Sequence, residues 1–264
     1  MNRLLETLGD RIAAYLSASR PHGAMVAIVP PDLLAATLRP GDVLLVEGES
    51  RISMPIKFLT QSSWSHATLF VGSARRIGGS GPDTPMLIEA DLRAGVRAVP
   101  LRAYSHMHTR ICRPHGLAVA EIDRVVDFAI GQIGHRYDLK NLFDLGRYLL
   151  PVPPVPFHLR RRLIAFGSGD PTRAICSTLI AQAFQEVRYP ILPEVTYRDA
   201  IDAAGRRCHS ELLHIRDHSL FAPRDFDVSP YFEVVKPMLQ PDFDPHRLTW
   251  DDQAQRVGAE PAPA

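Results

Sequence analysis

The spacing of apolar residues changes near residue 115, and this change constrains the fold more than any other feature of the sequence. Before it, short apolar runs are separated by glycine and proline turns, which is typical of a small antiparallel sheet or barrel. After it, apolar residues recur at helical spacing over 119–133 and 176–187. The sequence therefore predicts an α+β protein. The predicted strands cover residues 43–46, 65–72, 86–90, 96–101 and 109–113.

One domain with an extension at each end is the expected organisation of the 264 residues. Residues 1–22 are predicted to form an amphipathic helix, which either packs on the rest of the protein or lies on a membrane surface. The central domain is assigned to residues 23–235, with a proline- and arginine-rich insertion at 140–170. Residues 236–264 lose apolar periodicity and are predicted to form an extended tail.

Composition excludes several classes of protein. The net charge is +1, so no overall field favours a nucleic acid or an acidic membrane as partner. No apolar stretch reaches the roughly 18 residues of a membrane span, and charged residues interrupt the N-terminus where a signal peptide would be apolar. Three cysteines are too few for a disulfide-stapled secreted domain. The predicted location is therefore the cytoplasm.

Cys176 stands where the second predicted helix begins, after the helix-starting residues Pro171 and Thr172. A thiol in the first turn of a helix lies at the positive end of the helix dipole, which favours the thiolate. The free backbone N–H groups of that turn can also stabilise an oxyanion. On position alone, Cys176 is as well explained as a buried structural cysteine as it is as a nucleophile.

His66 and Glu89 are the candidate partners for a nucleophilic thiol. His66 opens an alternating strand and shares one face with Thr68 and Phe70, while Glu89 is a lone carboxylate in the apolar run 86–90. If the two strands are neighbours, Glu89 can lie across from His66 and fix its tautomer. Taken singly, neither residue is informative, since the chain has 11 histidines and strand carboxylates are usually solvated.

Other clusters of polar residues have simpler interpretations. His106, His108, His115 and Cys112 could suggest a metal site, but no further ligand follows at a recognised zinc spacing. We therefore predict no metal and no cofactor. The basic run Arg160–Arg162 is either a solvated surface or a contact with lipid head groups.

Five short motifs follow one another along the chain: Gly41-Asp42-Val43-Leu44-Leu45, Trp64-Ser65-His66-Ala67, Ile88-Glu89-Ala90, Gly134-His135-Arg136-Tyr137-Asp138 and Cys176-Ser177-Thr178-Leu179-Ile180. With these motifs in this order, the chain resembles the YiiX/YebB-like branch of the NlpC-type cysteine hydrolases, whose papain-like fold is circularly permuted. In that branch the histidine strand precedes the cysteine helix, as His66, Glu89 and Cys176 do here. The resemblance covers roughly residues 39–187 and depends on motif order, because each motif is short.

The resemblance implies a thiol amidase or peptidase-like hydrolase that cleaves an amide or ester bond through a thioester acyl-enzyme. Cys176 would be the nucleophile, His66 the base and Glu89 the group that orients the base. Tyr137 and Ser177 are candidates for contact with the substrate or the oxyanion, although Tyr137 is also explained as a structural tyrosine. The implied fold is a permuted papain-like one, with an antiparallel sheet or small barrel packed against the helix that carries the cysteine.

Two other functions stay open. The chain also resembles the lecithin:retinol acyltransferase relatives, which use the same triad to move acyl groups onto lipid or amine acceptors. Alternatively, the chain is a catalytically inert binding module with a buried, unreactive Cys176. The expected substrate is a small molecule, a peptide or a lipid-like acyl compound, and no nucleic acid is expected. Peripheral membrane contact is possible, but the sequence does not specifically support it.

Overall fold

The computed structural model describes residues 15, 18, 29–79, 83–91, 94–135, 175–201, 207–238 and 244–247. The helices in these ranges are α1 (Pro31–Thr37), α2 (Ser53–Thr60), α3 (Val119–Gly131), α4 (Ile175–Gln185) and α5 (Pro223–Val228). The strands are β1 (Val43–Val46), β2 (His66–Ser73), β3 (Pro85–Asp91), β4 (Gly95–Pro100), β5 (Thr109–Pro114), β6 (Glu194–Ile201), β7 (Arg207–His214) and β8 (Phe232–Val235). Short 3₁₀ turns lie at Ala74–Ile77, Leu101–Tyr104, His218–Leu220 and Pro245–Arg247.

Six of the strands form one antiparallel sheet in the order β4-β3-β2-β1-β5-β8. Leu45 of the central strand β1 lies opposite Ala67 of β2 on one side and Arg110 of β5 on the other. In the part of the chain that the structure describes, β4 and β8 lie at the two ends of this order. Strands β6 and β7 form a separate two-stranded sheet, with Glu194 opposite His214.

Each face of the sheet carries its own apolar core. Alternate residues of β1 point to opposite faces, so Val43 and Leu45 join one core while Leu44 and Val46 join the other. Helices α3 and α4 cover the first face, and α1 and the 3₁₀ turn at Leu101–Tyr104 cover the second. Because both faces are covered, β1 is buried along its whole length, which explains its uninterrupted apolar sequence.

The turn before β1 sets where the sheet begins. Gly41 has a φ of +90°, and a Cβ atom on it would lie 2.9 Å from Ile122 of α3, so a side chain does not fit there. The next residue, Asp42, is almost fully buried and accepts hydrogen bonds from Nε and Nη2 of Arg113 at 2.9 and 2.7 Å. This ion pair ties the start of β1 to β5.

The predicted mixture of helices and an antiparallel sheet is confirmed. All five predicted strands and the two helices predicted over 119–133 and 176–187 are present, with small shifts at their ends. Strands β6, β7 and β8 were not predicted, and β8 completes the sheet beside β5. Among the described helices, none combines the length and the apolarity needed to span a membrane.

Several predicted features lie largely or wholly outside the described residues. Only Tyr15 and Ala18 of the predicted N-terminal helix are described, where the backbone carbonyl of Ala18 accepts a hydrogen bond from Arg51. The insertion at 140–170 is not described, and the tail is described only at 236–238 and 244–247.

Candidate active site

His66 is placed by the first backbone pairs of β2. It lies opposite Val46, the last residue of β1. The two residues before it are also held: the Ser65 hydroxyl accepts a hydrogen bond from the Gly48 N–H at 3.0 Å, and the buried Trp64 ring donates to Asp227 at 3.1 Å. The His66 side chain therefore projects from a hydrogen-bonded end of the sheet rather than from a loop.

Glu89 contacts His66 from the neighbouring strand β3. Its carboxylate is only 3% exposed, and its Oε2 atom lies 2.7 Å from Nε2 of His66. The backbone register pairs Leu69 with Ile88, so continuing it by one residue puts Glu89 opposite Thr68 and diagonal to His66. The two strands are neighbours, and Glu89 lies diagonally across from His66 at a distance that both long side chains bridge.

Two further side chains contact the same carboxylate. Nε of Arg97, from β4, donates to Oε1 at 2.8 Å, and the Tyr104 hydroxyl donates to Oε2. Burial alone would raise the pKa of Glu89, but the hydrogen bonds from His66 and Tyr104 and the charges of His66 and Arg97 lower it to about 2. Glu89 is therefore ionised throughout the physiological pH range.

Cys176 is the second residue of α4 and lies against the start of β2. Its side chain is 6% exposed. Burial alone would raise the pKa of Cys176, but the charge and hydrogen bond of His66, the Ala67 backbone N–H and the Ser177 hydroxyl lower it below its usual value. The thiolate is thus stabilised by partners from β2 and from its own helix.

His66 joins the other two residues. Burial alone would lower the pKa of His66, but the charges and hydrogen bonds of Cys176 and Glu89 raise it to about 10. Glu89 occupies Nε2, which leaves Nδ1 as the ring nitrogen for Cys176. The lowered pKa of Cys176 and the raised pKa of His66 together favour an imidazolium between a thiolate and a carboxylate.

Cys112 differs from Cys176 in its surroundings. Cys112 is fully buried on β5, and burial together with the charge of Asp227 raises its pKa to about 12. The side chain of Cys208 lies outside the described residues. Of the described cysteines, Cys176 has the environment of a reactive thiol.

The histidine cluster considered as a metal site is dispersed in the structure. His106 lies in the turn before β5, and His108 contacts Glu47 with Nδ1 3.2 Å from Oε2. Within the described ranges, no group of three or more histidine, cysteine, aspartate or glutamate side chains could hold a metal ion.

The structure thus brings together Cys176, His66 and Glu89, with Ser177 fully buried beside the thiol and its Oγ 4.0 Å from Sγ. Tyr137 lies outside the described residues. Sequence reasoning missed two neighbours of Glu89, namely Arg97 and Tyr104. The sequence could have pointed to Arg97, because it is a lone charge in an apolar strand. Tyr104 lies in a turn, and no sequence pattern marks it.

Comparison with known proteins gives a family match over part of the chain. Residues 37–147 match the family model Peptidase_C92, described as a permuted papain-like amidase enzyme of the YaeF/YiiX, C92 family. This matched range includes His66 and Glu89 and ends before α4. No match was found among curated proteins.

Solved structures also include a similar chain. The metalloprotein YiiX of Escherichia coli O157:H7 is 18% identical with a TM-score of 0.44, and the alignment covers 75% of this chain and 96% of that chain. The family match supports a cysteine hydrolase at the level of the family. The predicted resemblance to YiiX-like proteins is confirmed over residues 37–147, which match the permuted papain-like amidases of the C92 family.

Proposed function

We propose that this protein is a cysteine hydrolase that cleaves an amide or ester bond through a thioester acyl-enzyme. One observation carries the proposal: His66 contacts both the thiol of Cys176 and the carboxylate of Glu89. A nucleophile, a base and a group that orients the base are the three parts that covalent acyl transfer requires.

Acylation would begin with attack by the Cys176 thiolate on the substrate carbonyl carbon. The carbonyl oxygen becomes an oxyanion, which the backbone N–H of Cys176 is proposed to stabilise, as N–H groups in the first turn of a helix can. The imidazolium of His66 then donates its Nδ1 proton to the leaving amine or alkoxide. The carbon–heteroatom bond breaks, and a thioester to Sγ remains.

Deacylation would reverse the proton movement. Neutral His66 takes a proton from water as the water oxygen attacks the thioester carbonyl. The tetrahedral intermediate collapses, the carboxylic acid leaves, and Cys176 is released as a thiolate beside the imidazolium. Glu89 keeps its hydrogen bond to Nε2 throughout, so that Nδ1 stays directed at the reacting atoms.

The same proposal extends to the fold and to the remaining candidate residues. The order of histidine strand before cysteine helix supports an NlpC-type, circularly permuted papain-like fold. Ser177 hydrogen-bonds the thiolate and is proposed to support it, while Tyr137 is proposed to contact the substrate or the oxyanion. The proposed substrate is a peptide, a small amide or a lipid-like acyl compound.

Turnover of matched amide and ester substrates by the purified protein tests the proposal. The wild type should release acid and form an adduct on Cys176 that intact-mass spectrometry detects, and Cys176→Ala should lose about 10³-fold or more in kcat. Cys208→Ser is the matched thiol control and should keep full activity. Activity that survives in Cys176→Ala would contradict the proposal, and transfer of the acyl group to an added amine or alcohol would identify an acyltransferase.

A further inference from the structure

The carboxylate of Glu89 is held at both oxygens, and one of them receives two donors. Oε1 accepts from Arg97 at 2.8 Å. Oε2 accepts from Nε2 of His66 at 2.7 Å and also from the hydroxyl of Tyr104. The carboxylate oxygen that faces the imidazole is therefore fixed by two side chains, His66 and Tyr104.

Tyr104 reaches this oxygen from the 3₁₀ turn that follows β4. Its ring packs against the apolar core on that face of the sheet, together with Leu87 and Leu101, and its centroid lies 6.0 Å from that of the His66 ring. Burial, followed by the charge of Glu89, raises the pKa of Tyr104 well above its usual range. The hydroxyl therefore stays protonated and acts as a donor to the carboxylate.

The charged and titratable groups around Glu89 come from three elements. His66 faces it from β2, Arg97 from β4 and Tyr104 from the turn, while Cys176 of α4 contacts His66 rather than Glu89. Arg97 is about half exposed; of the two Glu89 oxygens it contacts Oε1, and its Nη2 also lies 3.7 Å from Oδ2 of Asp91. Without the tyrosine hydroxyl, the carboxylate would be free to rotate towards Arg97 and water, because His66 would be the remaining donor on Oε2.

We infer that Tyr104 is a positioning residue of this site: its hydroxyl fixes Oε2 of Glu89 where it accepts from His66, and thereby keeps the imidazole directed at Cys176. The inference rests on the proposed function, since it assigns Tyr104 a role in that reaction. Tyr104 touches neither the thiol nor the substrate carbonyl in this scheme and acts through Glu89.

Tyr104→Phe is the direct test, because it removes the hydroxyl and keeps the ring. We expect kcat to fall about tenfold, the effect of losing one hydrogen bond to a charged group, with a smaller change in KM. The imidazolium should also be less stabilised, so the pKa of His66 measured by NMR titration of its ring should fall. The alkaline limb of the pH–rate profile should move to lower pH with it.

Tyr189→Phe is the matched control. The Tyr189 hydroxyl is also part-buried, but it bonds to the backbone of His115 at 2.8 Å and to the backbone of Tyr231, away from Glu89. This variant should lose stability while leaving the pH–rate profile and the His66 titration unchanged. Equal shifts in both tyrosine variants would overturn the inference.

A double substitution separates positioning from a general packing effect. In a Glu89→Gln background, Tyr104→Phe should cause little further loss of kcat, because the hydroxyl acts through the carboxylate that is already missing. A full additional tenfold loss would overturn the inference.

The titration also separates this inference from the proposed function. If the wild type hydrolyses no substrate but Tyr104→Phe still lowers the pKa of His66, the proposed function fails and the positioning of His66 by Tyr104 is upheld. If the wild type is active and Tyr104→Phe changes neither the titration nor the profile, the inference is wrong and the proposed function stands.

Discussion

At the scale of single residues, Glu89 has the most consequential position because it carries a buried charge among three donors. Burying a carboxylate in an apolar sheet lowers the stability of the fold unless the carboxylate is fully hydrogen-bonded. Here the bonds that compensate its burial also orient His66. Stability and proposed chemistry therefore depend on the same contacts.

The free energy of unfolding should depend on the charge of Glu89. The folded state holds the pKa of Glu89 at about 2, below its ordinary value of 4.5. The ionised carboxylate therefore contributes fully to the free energy of unfolding above pH 4.5, and this contribution is lost as the pH falls towards 2. At neutral pH, Glu89→Gln should lower the free energy of unfolding by about 3 kcal/mol. Denaturant titrations at several pH values measure this difference, which should shrink between pH 4.5 and 2. A pH-independent difference would contradict the prediction.

Cysteine alkylation should report the thiolate of Cys176. Its lowered pKa predicts selective reaction with iodoacetamide at neutral pH, whereas Cys112 is fully buried, has a pKa raised to about 12 and should react slowly. Peptide mapping by mass spectrometry compares the two sites within one sample. An unreactive Cys176 would support the inert binding module instead.

The pH dependence of that reaction should in turn depend on His66. In the wild type the thiolate persists below the ordinary pKa of a thiol, and the imidazolium is lost only as the pH approaches 10. In His66→Ala the alkylation rate of Cys176 should rise only above about pH 8.5, the value of a free thiol, because burial raises the pKa of the thiol once the imidazolium is gone. Unchanged pH profiles in the two proteins would show that His66 does not stabilise the thiolate.

At the scale of elements, the two ends of β1 have different roles, one in stability and one in placing the candidate site. Its first residue follows the buried Asp42–Arg113 ion pair, and its last residue, Val46, lies opposite His66. Disturbing the first end should therefore affect folding more than chemistry.

Asp42→Ala tests this separation. Removing one partner of a buried pair leaves the charge of Arg113 uncompensated and should cost about 3 kcal/mol. The matched control is Asp123→Ala, since Asp123 pairs with Arg76 but is 48% exposed, and that change should cost less than about 1 kcal/mol. Thermal unfolding measures both, and kcat per folded molecule should be unchanged in each. A large loss of kcat in folded Asp42→Ala would refute the separation.

Elements formed by local sequence patterns could be predicted, whereas those that depend on pairing between distant residues could not. His66, Glu89 and Cys176 could be named as candidates because strand and helix patterns are local properties, but the roles predicted for them came from the family resemblance. The diagonal contact between His66 and Glu89 could not be predicted, because it depends on pairing that shifts between Phe70 and Gly72. Strand β8 was missed because its four residues become a strand only by pairing with distant β5.

At the scale of the whole molecule, aromatic packing joins the C-terminal strand to the cysteine helix. Phe232 of β8 packs edge-on against Phe184 of α4 and against Phe226 of α5, with ring centroids 5.2 and 5.6 Å apart. It also packs edge-on against Tyr189. The helix that carries Cys176 is thus supported by residues more than forty positions further along the chain.

Phe232→Ala should therefore destabilise the entire domain. Loss of a buried aromatic side chain should cost about 3–5 kcal/mol and lower Tm. Met238→Ala is the control, because Met238 is exposed and close in sequence, and it should leave Tm nearly unchanged. Differential scanning calorimetry compares them; equal Tm values would show that this cluster does not hold α4.

The position of β8 has a consequence for the order in which the protein matures during synthesis. Because β8 begins at residue 232, translation must proceed well past the cysteine helix before β5 acquires its second neighbour and α4 its aromatic support. A nascent chain that stops short of β8 already contains Cys176 but lacks the packing that holds its helix in place. The surroundings of the Cys176 thiol are therefore expected to form only after β8 has been synthesised.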